Sequence, residues 1–359
     1  MLKKISCTCL LLGIVSCGPD PITRASETQW STKNESIVLG AGNVADQKVR
    51  LVDEDAVITK SLSLLEEATE SDNARYRANA IEALRHAPSP ILLKTIRRGL
   101  ADENRGVRFV AAMMVGEVQV CELMSLLEPL LLDDSESVKA AALCSMYRCG
   151  RSVDLNLLAR MLDSEDPELR GNAVMILGRM GNSSAVEMIR ATAHRSPTNI
   201  TPIRRRLINL QMAEALVQLG ERQELEVIRA AIFSSIQEAE VTALACQIAG
   251  RLHDVEITST LQGIAATPDR YPDEIRLIAA AALAEMDPSR VPMEIVLRFT
   301  SSELASLRSQ CATVLGVHGN SLSLGPLALL LKDNDPLVQI AAAGAVIRID
   351  KGHSAVIVD

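Results

Sequence analysis

Apolar and polar positions along most of this chain follow a helical rather than a strand period. One phrase recurs: an apolar residue, a long polar residue (usually arginine), a small residue three positions on, and a leucine-like residue four further. It starts at Tyr76-Arg77, Val107-Arg108, Val138-Lys139, Leu169-Arg170, Ile208-Asn209, Val241-Thr242, Ile275-Arg276, Leu307-Arg308 and Val338-Gln339. The second residues of successive phrases lie 31, 31, 31, 39, 33, 34, 32 and 31 positions apart, the mark of nine copies of one structural unit. Apolar residues at offsets −1, +3, +6 and +7 from the arginine form one stripe at the 3.6-residue period, which predicts a helix, B, in every copy. Upstream segments such as Leu155 to Leu162 and Leu322 to Leu331 predict a shorter helix, A. The turn between them is acidic and sometimes carries proline, as in Asp163-Ser164-Glu165-Asp166-Pro167 and Asp333-Asn334-Asp335-Pro336. Asp and Ser there can cap the free N–H groups of helix B, and Pro suits its first turn.

The first residues follow a different pattern. Lys3 and Lys4 precede the apolar run Ile5 to Val15, which is too short to span a membrane and reads as a signal peptide over 1–16. Its end, Ile14-Val15-Ser16-Cys17, resembles the bacterial lipobox, in which the cysteine becomes the first mature residue and carries the lipid. Cys17 is therefore the expected lipidation site. Gly18 after it favours, by analogy, the outer membrane facing the periplasm. Residues 17–55 are polar and aperiodic and read as a tether; flexible chain of that length spans about 30–35 Å. The repeat region is expected over 56–359.

Composition narrows the classes of function. Apolar residues make up 48% of the 359, which excludes a disordered chain, whereas aromatics make up 2%, which leaves little for stacking bases or sugar rings. The formal charge of −8 lacks the footprint of a nucleic-acid binder, so no nucleic-acid partner is expected. Cys7, Cys9 and Cys17 leave with, or are modified at, the N-terminus. The five that remain, Cys121, Cys144, Cys149, Cys246 and Cys311, match no disulfide framework or zinc spacing, and no obligatory disulfide is expected. Cys311 occupies a slot that other copies fill with Ala and reads as a small buried residue.

The phrase Leu329-Leu-Leu-Lys-Asp-Asn-Asp-Pro-Leu-Val-Gln-Ile-Ala-Ala-Ala-Gly-Ala-Val346 resembles the HEAT-like repeats also found in phycobilin lyases. The resemblance covers roughly residues 56 to 350. It implies an all-α fold, a right-handed α-solenoid of about nine HEAT-like hairpins whose B helices line the concave side. It also implies that Arg77, Arg108, Arg170, Arg276 and Arg308 hydrogen-bond along the stack as a structural ladder.

Chemistry is sparse. The five histidines, His86, His194, His253, His318 and His353, form none of the His-Glu pairs by which HEAT-repeat hydroxylases hold iron, and no HExxH, GxSxG or phosphate-binding glycine motif occurs. His86, His253 and His318 are expected as cations at the ends of B helices. No cofactor, metal or catalytic residue is expected. Two features point to a partner instead. At offsets +1 and +5, away from the core stripe, stand Phe109, Met113, Met175, Leu210 and Leu277, punctuated by Glu82, Glu214, Gln247 and Thr313. They read as a mixed groove for a peptide, or alternatively as residues that tight curvature buries between B helices. The fifth unit is long, at His194 to Pro202, and is followed by Arg204, Arg205 and Arg206, an expected binding loop or a neutral insertion. The sequence thus predicts a lipid-anchored envelope scaffold that binds a protein or peptide on its concave face. The alternatives are a bilin lyase or isomerase, by resemblance alone, and a purely structural envelope subunit.

Overall fold

A computed structural model describes residues 53–193 and 200–356. They form nine helical hairpins. The pairs are α1 (Glu54–Ala68) with α2 (Ala74–Ala83), α3 (Ser89–Leu100) with α4 (Arg105–Glu117), and, in the third unit, two 3₁₀ turns (Cys121–Leu126, Pro129–Leu132) with α5 (Glu136–Arg148). Then come α6 (Asn156–Leu162) with α7 (Pro167–Met180), α8 (Ala185–Ala193) with α9 (Pro202–Gln218), and α10 (Leu225–Ile232) with α11 (Ala239–Arg251). The last are α12 (Thr258–Ala266) with α13 (Asp273–Met286), α14 (Met293–Arg298) with α15 (Ala305–His318), and α16 (Leu324–Leu330) with α17 (Pro336–Val356). The caps fall where the acidic turns place them. Asp166 accepts from the Glu168 amide at 2.8 Å ahead of Pro167, and Asp335 accepts from the Leu337 amide at 2.8 Å beside Pro336.

Each B helix packs on the next, while A helices touch their neighbouring A helices far less, so the solenoid curves with B inside and A outside. Small residues set this close approach. A Cβ on Gly116, Gly178, Gly250 or Gly316 would come within 2.8 Å of an atom in the following B helix, and Ala173 and Cys311 are fully buried at the +3 slot.

The expected ladder forms where the register holds. Arg77 grips Asp102 through Nε and Nη2 at 2.8 and 2.7 Å, Arg108 grips Asp133 at 2.7 and 3.0 Å, and Arg308 grips Asp333 at 2.6 and 2.8 Å, each aspartate lying 25 residues on. These fork contacts hold Asp102, Asp133 and Asp333 below the usual carboxylate range against the opposing effect of burial. Arg276 has Ser301 at that distance, and turns instead to Asp273 on its own helix and to the Ala265 carbonyl.

The curvature closes the chain on itself. α17 packs against α1 and α2, and one hydrophobic core joins Leu65, Ala80 and Leu84 of the first unit to Val338, Ala342 and Val346 of the last. Asp335 lies near enough to Tyr76 to add to burial in raising that phenol. A Cβ on Gly344 would lie 2.9 Å from the Ala83 Cβ, so the seam is packed as tightly as the joints within the stack. An open solenoid exposes an apolar face at each end and needs polar capping units. Here the first and ninth units cap each other.

The structure corrects two expectations. Cys121 and Cys149 are joined as a disulfide, with Cα atoms 5.5 Å apart. Their spacing of 28 is that of one hairpin: antiparallel A and B segments bring the start of the one to the end of the other, a pairing that no small-domain cysteine framework resembles. Cys144, Cys246 and Cys311 are free and buried, each thiol pushed up to about 12 by burial. Nor does burial favour the expected cations at His86 and His318. Burial, then Arg348, Arg85 and Lys351, push His86 down to about 4, and burial lowers His318.

Candidate functional site

Nine B helices at the usual spacing of about 8–10 Å fit a circle of roughly 12–15 Å radius. Subtracting a helix half-width of ~5–6 Å leaves a lumen roughly 6–9 Å in radius, about the reach of one arginine. The sequence places one residue of each B helix, at offset +9, near its C-terminal end: His86, Glu117, Arg148, Arg179, Gln218, Arg251, Glu285, Val317 and Arg348. Eight of the nine are polar or ionisable although the core position two residues earlier is apolar in nearly every unit. Closure gathers this row, with Arg85 and the offset +5 residues Glu82 and Glu214, into a charged hub.

The hub is tightly wired. Glu117, its side chain 8% exposed, accepts from Arg85 at 2.6 Å and from Arg179, which comes from 62 residues further along. Glu214 receives Nε and Nη2 of Arg251 at 2.7 and 2.9 Å. Arg348 gives Nη2 to both oxygens of Glu285 at 3.2 Å across 63 residues. Arg148 donates to two helix-end carbonyls, Gly116 at 3.1 Å and Arg179 at 3.3 Å. Arg179 is lowered to about 10, mainly by burial and by the positive charge of Arg251, while Glu214 and Glu82 pull the other way. Those two glutamates belong to the first and fifth units, so Arg179 feels both sides of the ring.

Glu82 stands apart. It is 7% exposed, its Oε1 accepts no hydrogen bond, and burial raises it to about 7 against the opposing pull of Arg85 and Arg179. Its folded value lies above the ordinary 4.5, so its charge opposes folding, and the stability it costs appears as pH rises from about 4.5 through 7. His86 acts in the opposite direction: its depressed value removes stability as pH falls from 6.5 toward 4. Glu82→Gln is therefore expected to raise the melting temperature at pH 8, recovering up to roughly 3 kcal/mol, and to change little at pH 4.5. Thermal melts across pH check this; an equal shift at both pH values would assign Glu82 a different state.

Two cavities lie between B helices. One, about 20 Å³, lies among Met175, Arg179, Glu214 and Arg251 and is of the size of a single water or small ion. The other, about 110 Å³, lies at the seam between α2, α15 and α17, with Glu82, Arg85, His86 and Arg348 among its lining residues.

Of the expected groove residues, Met175 and Glu214 meet in the smaller cavity. Phe109, Met113, Leu210 and Leu277 do not form a groove: they are 5, 1, 2 and 1% exposed, buried between B helices by the tight curvature. Arg204, Arg205 and Arg206 lie apart from the hub at the start of α9; burial lowers Arg204, Arg205 is exposed, and Arg206 pairs with Glu238 and Ser234. Cys17 and the insertion at 194–199 lie outside the described residues. The hub itself was missed, and its signal was the polar +9 row. Among the described residues, no group of three or more His, Cys, Asp or Glu could hold a metal ion, and no helix is long and apolar enough to cross a membrane.

The fold is that of an all-α solenoid of HEAT-like repeats closed into a ring. A family profile of HEAT repeats matches residues 61–146, the second unit with parts of the first and third. No match was found among curated proteins. Among solved structures, the chain is similar to the complex of CpcE and CpcF of phycocyanin lyase from Nostoc sp. PCC7120, at 15% identity and a TM-score of 0.41, covering 82% of this chain and 98% of that one. It is also similar to human deoxyhypusine hydroxylase in complex with glycerol, at 14% identity and a TM-score of 0.37, covering 83% and 96%. Kap121p bound to Nup53p matches at 14% identity and a TM-score of 0.32, covering 79% of this chain and 37% of that one.

Proposed function

We propose that the chain is a lipid-anchored scaffold of a bacterial cell envelope, a closed ring that meets a protein partner on its outer face rather than inside its curve. The closure of the B helices carries this reading, because the inner face is occupied by the hub and by packed apolar side chains. Large apolar residues are exposed on A segments around the ring, from Leu132 at 87% in the third unit through Phe233 and Val255 at 66% to Leu322 at 81% and Leu329 at 71% in the ninth. The envelope address rests on the lipobox-like Ile14 to Cys17 and agrees with the Cys121–Cys149 disulfide, a bond that persists in oxidising compartments.

Cys17→Ser should yield an unprocessed or soluble protein that melts like the wild type. Finding the wild type wholly soluble and without acyl mass would remove the anchor. Crosslinking in cells followed by mass spectrometry should place partner links on the outer A segments; links confined to B helices would overturn the outer-face reading.

A further inference from the structure

The seam cavity is built unlike the rest of the lumen. Its body is apolar, with Val317, Leu337, Ile340 and Ala341 among the walls, and its volume of about 110 Å³ is of the scale of the ~150 Å³ cavity that holds benzene. Both signs of charge stand on its walls. Glu82 is more than nine-tenths buried and its Oε1 lacks a donor. Arg85 and Arg348 also line the cavity, and each spends only Nη2 on a glutamate, leaving its other N–H groups without a further hydrogen bond among the described residues. A buried carboxylate oxygen without a partner is costly, and an ammonium supplies what it lacks. Spare guanidinium donors fit a carboxylate.

We propose that the seam cavity binds a small zwitterion, an α-amino acid with a short apolar side chain. Its ammonium meets Glu82, its carboxylate meets Arg85 and Arg348, and its side chain lies against Leu337, Ile340 and Val317. A ligand with one charge satisfies only half of this arrangement. Because α2 and the 3₁₀ turn after it (Leu84–His86) supply Glu82 and Arg85 while α15 and α17 supply the opposite wall, a bound ligand bridges the two ends of the chain and stabilises the closed ring.

The test is calorimetric titration of the full chain with L-alanine and L-valine, each beside its fragments: ethylamine and propionate, isobutylamine and isovalerate. At least one amino acid should bind about tenfold or more tightly than either of its fragments, and should raise the melting temperature. Glu82→Gln should weaken the amino acid by about tenfold or more and leave the carboxylate fragment bound at least as tightly as in the wild type. Ala341→Phe, which fills the cavity from a partly exposed position, should abolish binding, with circular dichroism confirming that both variants fold. Binding of neither amino acid, equal binding of the amine fragment, or binding retained by Ala341→Phe would each overturn the proposal.

Discussion

Replacing Gly344 with leucine should open the ring while leaving the stacked units folded. The Cβ alone would lie 2.9 Å from the Ala83 Cβ and 3.4 Å from its Cα, and both belong to a helix at the opposite end of the chain. Overpacking costs about 1–3 kcal/mol, and here the strain has an exit that a joint inside the stack lacks: the first unit can move away from the ninth without breaking a chain connection. Small-angle scattering should show a larger radius of gyration, and hydrogen exchange should quicken in α1 and α2. Gly352, on the same helix but with open space around its Cβ, supplies the control, and Gly352→Leu should do neither. Unchanged scattering and protection in the Gly344 variant would mean that the two ends are not packed together.

Glu117→Ala should be the most destabilising single change in the hub. This carboxylate answers both Arg85 and Arg179, and its side chain is 8% exposed. Removing one member of a buried ionic group costs about 3–5 kcal/mol, because the remaining charges stay desolvated. Glu117→Gln keeps an acceptor and should cost less. Glu128→Ala removes a pair of similar geometry, with Arg151 at 2.6 Å, but both side chains are about half exposed, so its cost should stay within about 1 kcal/mol. Urea unfolding with an unchanged slope measures all three. Equal losses at Glu117 and Glu128 would show that burial of the hub contributes nothing.

The repeat was legible because each unit writes its own periodicity: the core stripe at −1, +3, +6 and +7, the acidic turn with Asp166-Pro167 or Asp335-Pro336, and the small residues at the joints are all local choices. The ladder was legible for the same reason, since Arg77, Arg108 and Arg308 reach an aspartate at a constant distance along the chain. What the sequence could not settle depends on how many small rotations add up. Whether Phe109, Met113, Leu210 and Leu277 face a groove or a neighbouring helix is a question of curvature, and the pattern of one helix is the same in either case. Closure is likewise a sum over nine joints, so the contact of Gly344 with Ala83 leaves no trace at either position alone.

The sequence by itself determined the B helices, the unit length and the core stripe at −1, +3, +6 and +7, because these follow from contacts within a hairpin and with its next neighbour. Only the tertiary structure decided that the ends meet, that Arg179 reaches Glu117 over 62 residues, and that Glu82 is buried at a seam cavity. Those contacts are fixed by the accumulated curvature of the stack, a property of all nine joints together that no single repeat encodes.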